Sequence, residues 1–223
     1  MSTSREEILH RIRQGLSGVD VTIPEHKDLI SKAQKVNELI LDSKDQLASE
    51  FISELEKVNT NLLSAGKESE IFPAILKFAK DRGIKSFSIW ESQYLKEMNL
   101  KKQLKDEGLK LITAKNKNNI ARCDIGITEA DYAIADTGTL VLIANKNQPR
   151  SVSLIPPIHL AIVRPENLVR NIQDLFVILK SKLQEDEDLT SNMTFITGPS
   201  RTADIELNLT LGVHGPKELY VVI

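Results

Sequence analysis

Apolar positions in the first quarter of the chain recur every three to four residues. Ile8, Ile12 and Leu16 fall at i, i+4 and i+8, one stripe of a short amphipathic helix. Ser4-Arg5-Glu6-Glu7 fits a capping box, with Ser4 as N-cap and Glu7 reaching back. Gly15 and Gly18 end that helix, and V-D-V-T-I-P reads as a linker. From His26 to about Lys57 the helical period returns. Leu29, Ala33, Val36 and Ile40 make one stripe; Leu47, Phe51, Leu55 and Val58 make another, with Asp42-Ser43 as the point of a break. The pattern predicts an N-terminal helical extension over residues 1–58, packed either on its own domain or on a partner.

Beyond it the pattern alternates. Asn61 to Ser64 reads as a short strand. Glu70 to Arg82 reads as a helix with Ile71, Ile75, Phe78 and Ala79 inward, ended by Gly83. Lys85 to Trp90 is a strand, Ser92 to Asp106 a helix stopped by Gly108, and Lys110 to Thr113 a strand. This β-α-β-α-β order predicts an α/β domain over residues 59–223, a mostly parallel sheet flanked by helices. Then Y-A-I-A-D-T-G-T-L-V-L-I-A places two apolar runs around Asp136 to Thr139, a hairpin or sharp bend. Leu160 to Val163 is a strand. Glu166 to about Leu183 is a helix with Leu168, Ile172, Leu175, Phe176 and Leu179 on one face, Pro165 standing just before it. Thr194 to Thr197 and Leu219 to Ile223 close the sheet.

Composition narrows the function. With 223 residues, 41% of them apolar, the chain can build a real core. Net charge is −2, without a basic excess for nucleic acid, and aromatics at 4% leave few platforms for stacking bases. No apolar run approaches the roughly 20 residues that span a membrane, and M-S-T-S-R-E-E-I carries no signal-peptide core, so a cytoplasmic location is expected. Cys123 is the only cysteine, and His10, His26, His159 and His214 show no metal-ligand spacing. A cluster or resident metal is therefore not expected here; a redox role would place the electron carrier in another chain. No Walker A loop, G-x-G-x-x-G or G-x-S-x-G occurs.

Four polar segments stand out. Gly126 to Asp131 carries Glu129 and Asp131 just before a strand, a pair able to tune each other's pKa or merely to be solvated. Asp136-Thr137-Gly138-Thr139 offers hydroxyls and a glycine for a phosphate or carboxylate, or forms an ordinary turn. Pro156-Pro157-Ile158-His159 stiffens the chain before an imidazole suited to general base work near neutral pH, or to a structural hydrogen bond. The fourth runs from Thr194 to Glu206 and on to Gly212-Val213-His214-Gly215-Pro216. Gly198 allows a sharp turn, Ser200 or Thr202 would cap a short helix, and Arg201 beside it makes an anion site. Asp204 or Glu206 would steer Arg201 or act as a base; the plainer reading pairs Arg201 with one of them in a structural turn. His214, between glycines, divides the same way. Cys123 reads better as a buried, inert thiol than as a nucleophile, and Trp90 as core or sheet rim.

A-I-A-D-T-G-T-L, P-P-I-H and above all T-G-P-S-R-T-A-D-I-E-L-N-L-T-L-G-V-H-G-P-K-E-L resemble the lactate-utilisation (LUD) domain family, within it the lactate-utilisation protein C group (LutC/YkgG). The resemblance covers about Gly126 to Ile223 by motif and extends upstream to about Asn61 by pattern. It implies a fold like that of the sugar-phosphate isomerases and CoA transferases (NagB/RpiA-like). It also implies a part in oxidising L-lactate to pyruvate beside cysteine-rich iron–sulfur oxidoreductase subunits, whose clusters this chain would not share. The resemblance assigns no catalytic residue. On chemistry alone, His159, Glu129 and Asp136 are the catalytic candidates. Thr137, Gly138, Thr139, Gly198, Ser200, Arg201, Thr202, Asp204, Glu206 and His214 are the ligand-binding candidates, for a small anionic metabolite. The competing expectations are a stand-alone isomerase or acyl/CoA-transferase-like enzyme using Glu129 or Asp136, and a non-catalytic structural or regulatory subunit. Self-association stays open.

Overall fold

A computed structural model of the chain describes residues 4–16, 31–36, 38–39, 44–114, 117–184, 192–203 and 209–223. In chain order the elements are α1 (Ser4–Leu16), α2 (Lys44–Lys57), β1 (Asn61–Leu63), α3 (Glu68–Asp81), β2 (Ser86–Ile89), α4 (Gln93–Glu97), α5 (Leu100–Asp106) and β3 (Lys110–Leu111). They continue as α6 (Lys117–Ile120), β4 (Ile125–Glu129), β5 (Tyr132–Ile134), β6 (Thr139–Ile143), α7 (Ser151–Leu154), β7 (Ile158–Ile162), β8 (Leu168–Val169) and α8 (Ile172–Gln184). The last are β9 (Met193–Ile196), β10 (Arg201–Ala203), β11 (Leu209–Leu211) and β12 (Glu218–Val222). Residues 31–36 are helical as well.

The main sheet has six strands, all parallel, in the order β1-β12-β7-β4-β2-β3. Every residue of β2, β4 and β7 is buried, as expected of parallel strands covered on both faces. From β2 the chain moves out to the edge at β3, then crosses back to β4 on the other side and continues to β7 and β12. The direction of winding therefore reverses between β2 and β4. A second sheet, β8-β5-β6-β9, carries the expected hairpin: β5 and β6 pair antiparallel across a 3₁₀ turn at Ala135–Thr137. β10 and β11 form a separate two-stranded ribbon.

Helix α2 completes the core of this α/β body. Leu47, Phe51 and Leu55 are buried in the central apolar cluster. The helix lies against the turn at Gly138, where φ is +59° and an added Cβ would sit 2.9 Å from the backbone of Glu54 and Leu55. Of the upstream stripe, Ala33 is buried, while Leu29 and Ile40 lie outside the described residues.

Four expectations are corrected. The helix expected from Glu166 begins only at Ile172; before it come a 3₁₀ turn at Pro165–Asn167 and β8, which pairs with Ala133 and Ile134 of β5. Asn171 caps the later start, its Oδ1 accepting from Asp174 N at 2.9 Å. The helix expected over Ser92 to Asp106 is two helices, broken at Asn99 with φ +53°. β9 closes the second sheet on β6, not the main one. His159 lies inside a strand rather than before one, because β7 starts at Ile158.

Candidate functional site

Parallel pairing puts His159 opposite Gly126 of β4 on one side and Leu219 of β12 on the other. Gly126 is required there: a Cβ would fall 1.8 Å from the carbonyl oxygen of Val152, so α7 rests directly on β4. His159 is only 1% exposed. Its Nε2 lies 2.9 Å from the hydroxyl of Thr128, and its Nδ1 has no hydrogen-bond partner among the described residues. Burial pushes the imidazole down to about 3, so the ring is neutral at ordinary pH. An unpaired buried nitrogen costs stability.

His159 lines a cavity of about 240 Å³ together with Ser153, Thr197, Gly198, Ser200, His214 and Leu219. The third and fourth polar segments thus converge. The second reaches the same place through hydroxyls: Thr137 Oγ1, Thr139 Oγ1 and Thr197 Oγ1 follow one another at 2.8 Å steps. Ser200 is held by its backbone, its N–H donating to Pro216 and its carbonyl accepting from Gly212 N.

The remaining candidates separate from this cavity. Arg201 is exposed and donates from Nη2 to the carbonyl of Val58 at 2.6 Å, fastening the turn to the end of α2. Thr202 sits in β10 opposite Thr210. Asp204 and Glu206 lie outside the described residues. Asp136 is exposed, and its N–H donates to Arg170 O. Cys123 is buried, pushed up to about 11 by burial, and its thiol donates to Ile125 O. Trp90 is core, its Nε1 donating to Pro149 O.

The first polar segment belongs to a different crevice, of about 510 Å³, at the carboxyl ends of β2 and β4. Glu129 ends β4 and, with Asp131, stands just before β5, as expected; it is buried rather than solvated, at 7% exposure. Its Oε1 accepts from Arg164 Nε at 2.8 Å. Arg164 also binds Glu166 at 2.8 Å and lies 4.9 Å from the centre of the Tyr94 ring. Asp131 follows β4, and its Oδ2 accepts from Ile143 N at 2.7 Å. Burial, opposed by that bond and aided by Glu129, pushes Asp131 up to about 6. Sequence reasoning missed Arg164; its signal was a charge directly after a buried apolar strand and before Pro165. It also missed Thr128 and Thr197, whose hydroxyls carry no local signature.

Residues 48–223 match the LUD domain family. The chain is 32% identical over 186 residues to lactate utilization protein C of Halalkalibacterium halodurans, covering 81% of this chain and 80% of that protein. It is 28% identical over 226 residues to the Escherichia coli protein YkgG, covering 99% and 98%. A DUF162 family protein from Deinococcus radiodurans, known from a crystal structure, superposes with a TM-score of 0.57 at 20% identity, over 81% of this chain and 97% of that one. At that identity the likeness speaks to fold alone. The family match takes in α2 together with the sheet it packs on, and the halodurans protein aligns across four-fifths of both chains. This chain therefore belongs to the LUD domain family, in the group of the lactate utilization protein C sequences.

Proposed function

We propose that this chain serves lactate utilisation as a soluble subunit of a system oxidising L-lactate to pyruvate, and that the cavity at His159 binds a small monocarboxylate. The observation that carries the ligand half is the unpaired Nδ1 of a buried imidazole whose residue lines a cavity with no acidic side chain among the described residues of its lining. When the Thr128 hydroxyl donates to Nε2, Nδ1 carries the proton and donates. Ser200 and Thr197 add hydroxyls. At about 30 Å³ per water, 240 Å³ holds on the order of eight waters, room for a three-carbon acid and its solvent. A ring with its pKa near 3 binds rather than accepts a proton at neutral pH. Arg201 supports the site from outside by holding its turn to Val58.

The electron carrier in this reading lies in cysteine-rich iron–sulfur partners, since Cys123 stands alone here. The alternative of a stand-alone isomerase or acyl-transfer enzyme is weakened because Asp136 lines neither cavity and Glu129 is engaged by Arg164. Gentle affinity purification of the tagged chain from lactate-grown cells tests the subunit half. Cysteine-rich, iron-containing chains should come with it, and lactate oxidation should follow the assembled fraction. Recovery of the chain alone and iron-free would refute a stable complex.

A further inference from the structure

We propose that Thr128 is a positioning residue for the His159 cavity: its hydroxyl fixes the imidazole as the tautomer with the proton on Nδ1, which makes the ring a hydrogen-bond donor to an acceptor oxygen of the ligand. The sheet builds this pair rigidly. Residues in register on neighbouring strands share a face, as do positions two apart along one strand. His159 of β7 stands opposite Gly126 of β4, so Thr128, two positions on, is on the same face. Gly126 places no side chain between them, and His159 Nε2 lies 2.9 Å from Thr128 Oγ1. His159 is 1% exposed and Thr128 0%. Branching at Cβ restricts χ1 of the threonine, which holds the hydroxyl in place.

Counting protons decides the direction of that bond. Among the described residues Thr128 Oγ1 has no other partner, and His159 Nδ1 has none at all. A neutral imidazole carries one N–H and one acceptor nitrogen. If Nε2 carried the proton and gave it to Oγ1, the hydroxyl proton of Thr128 would be buried without an acceptor, and Nδ1 without a donor. If Thr128 donates to Nε2, only the Nδ1 N–H is left over. Each unpaired buried polar group is costly, so the arrangement with the single orphan wins. A doubly protonated ring is no escape at ordinary pH, because burial pushes the imidazole down to about 3. The remaining orphan is a donor, and its complement is a carboxylate or keto oxygen rather than an ammonium. This last step rests on the monocarboxylate reading of the cavity; the tautomer does not.

Long-range proton–nitrogen NMR of the full chain, labelled at the histidine nitrogens, reads the tautomer near neutral pH with no ligand added. His159 should show a protonated Nδ1 and a bare Nε2. Thr128→Ser keeps the hydroxyl and should keep that pattern. Thr128→Val keeps the shape and removes the donor, so Nε2 should take up a share of the proton; a merely structural Thr128 would leave the tautomer alone. Pyruvate, titrated calorimetrically, should bind Thr128→Val about tenfold more weakly than the parent, and Thr128→Ser within about twofold of it. A proton on Nε2 in the parent, or an unchanged pattern in Thr128→Val, would overturn the proposal. If Thr128→Val fails to fold, the parent spectrum decides alone. The expected tautomer without pyruvate binding by the parent would uphold the role of Thr128 and refute the monocarboxylate reading instead.

Discussion

His159 is buried and Asp131 partly so, and loss of solvent moves both toward neutrality, in opposite senses of pKa. His159 stays near 3 in the folded chain against 6.5 in the open one. Its contribution is therefore complete above pH 6.5 and is lost as pH falls toward 3, because the unfolded chain takes up a proton the folded chain refuses. Asp131 stands near 6 against 3.8. Its contribution is present at low pH and is lost as pH rises through about 6. Each slope approaches about 1.4 kcal/mol per pH unit, so between about pH 4 and pH 6 the two oppose each other. Asp131→Asn, which can still accept from Ile143 N, should raise stability at neutral pH by on the order of 2–3 kcal/mol. Its stability should also climb more steeply with pH than the parent's. His159→Gln, which can still meet Thr128, should tilt the curve the other way and weaken pyruvate binding about tenfold. Urea unfolding across this range reads the slopes and calorimetric titration reads the binding. Parallel curves for parent and variants would reject the assignment.

At the scale of elements, α2 packs against the hairpin turn, whose Thr139 hydroxyl meets that of Thr197 in the wall of the His159 cavity. Gly138 and Gly83 both have positive φ, +59° and +64°, but only Gly138 faces another backbone; an added Cβ at Gly83 would meet nothing within 4 Å. Gly83→Ala should cost only the left-handed strain, about 1 kcal/mol. Gly138→Ala must also push α2 away, and a loss of about 2–3 kcal/mol is expected. Equal shifts of the two urea midpoints would mean that α2 yields freely. These contacts also explain what was legible. The parallel sheet, the hairpin and the buried stripe Leu47-Phe51-Leu55 follow from periodicity, which local sequence records. Leu168 and Val169 read as helix because their apolar spacing suits one, while their strand identity comes from Ala133 and Ile134, distant in sequence. The choice of β9 between two sheets has no local signature at all. At the sites, residue types were readable and grouping was not. His159, Gly198, Ser200 and His214 share a cavity, while Glu129 pairs with an arginine thirty-five positions away.

Across the whole molecule, strand β4 links the two clefts, with Thr128 on His159 and Glu129 on Arg164 one residue later. Both clefts depend on an apolar core that includes α2 but not α1. Ile8 and Ile12 are 56% and 51% exposed, so deleting residues 1–16 removes little buried surface and should leave the melting temperature almost unchanged. Deleting residues 1–58 removes Leu47, Phe51 and Leu55, buried side chains whose loss costs about 2–5 kcal/mol each. That sum rivals the roughly 5–15 kcal/mol by which a typical domain is stable. It also removes the Val58 carbonyl that receives Arg201 and the backbone packed beneath Gly138 and Gly198. The shorter fragment should therefore show no cooperative melt by circular dichroism and no pyruvate binding, while the 17–223 fragment keeps both. A 59–223 fragment that melts like the full chain would show that α2 only decorates the sheet, and the cavity at His159 would then owe its shape to β7, β9 and β12 alone.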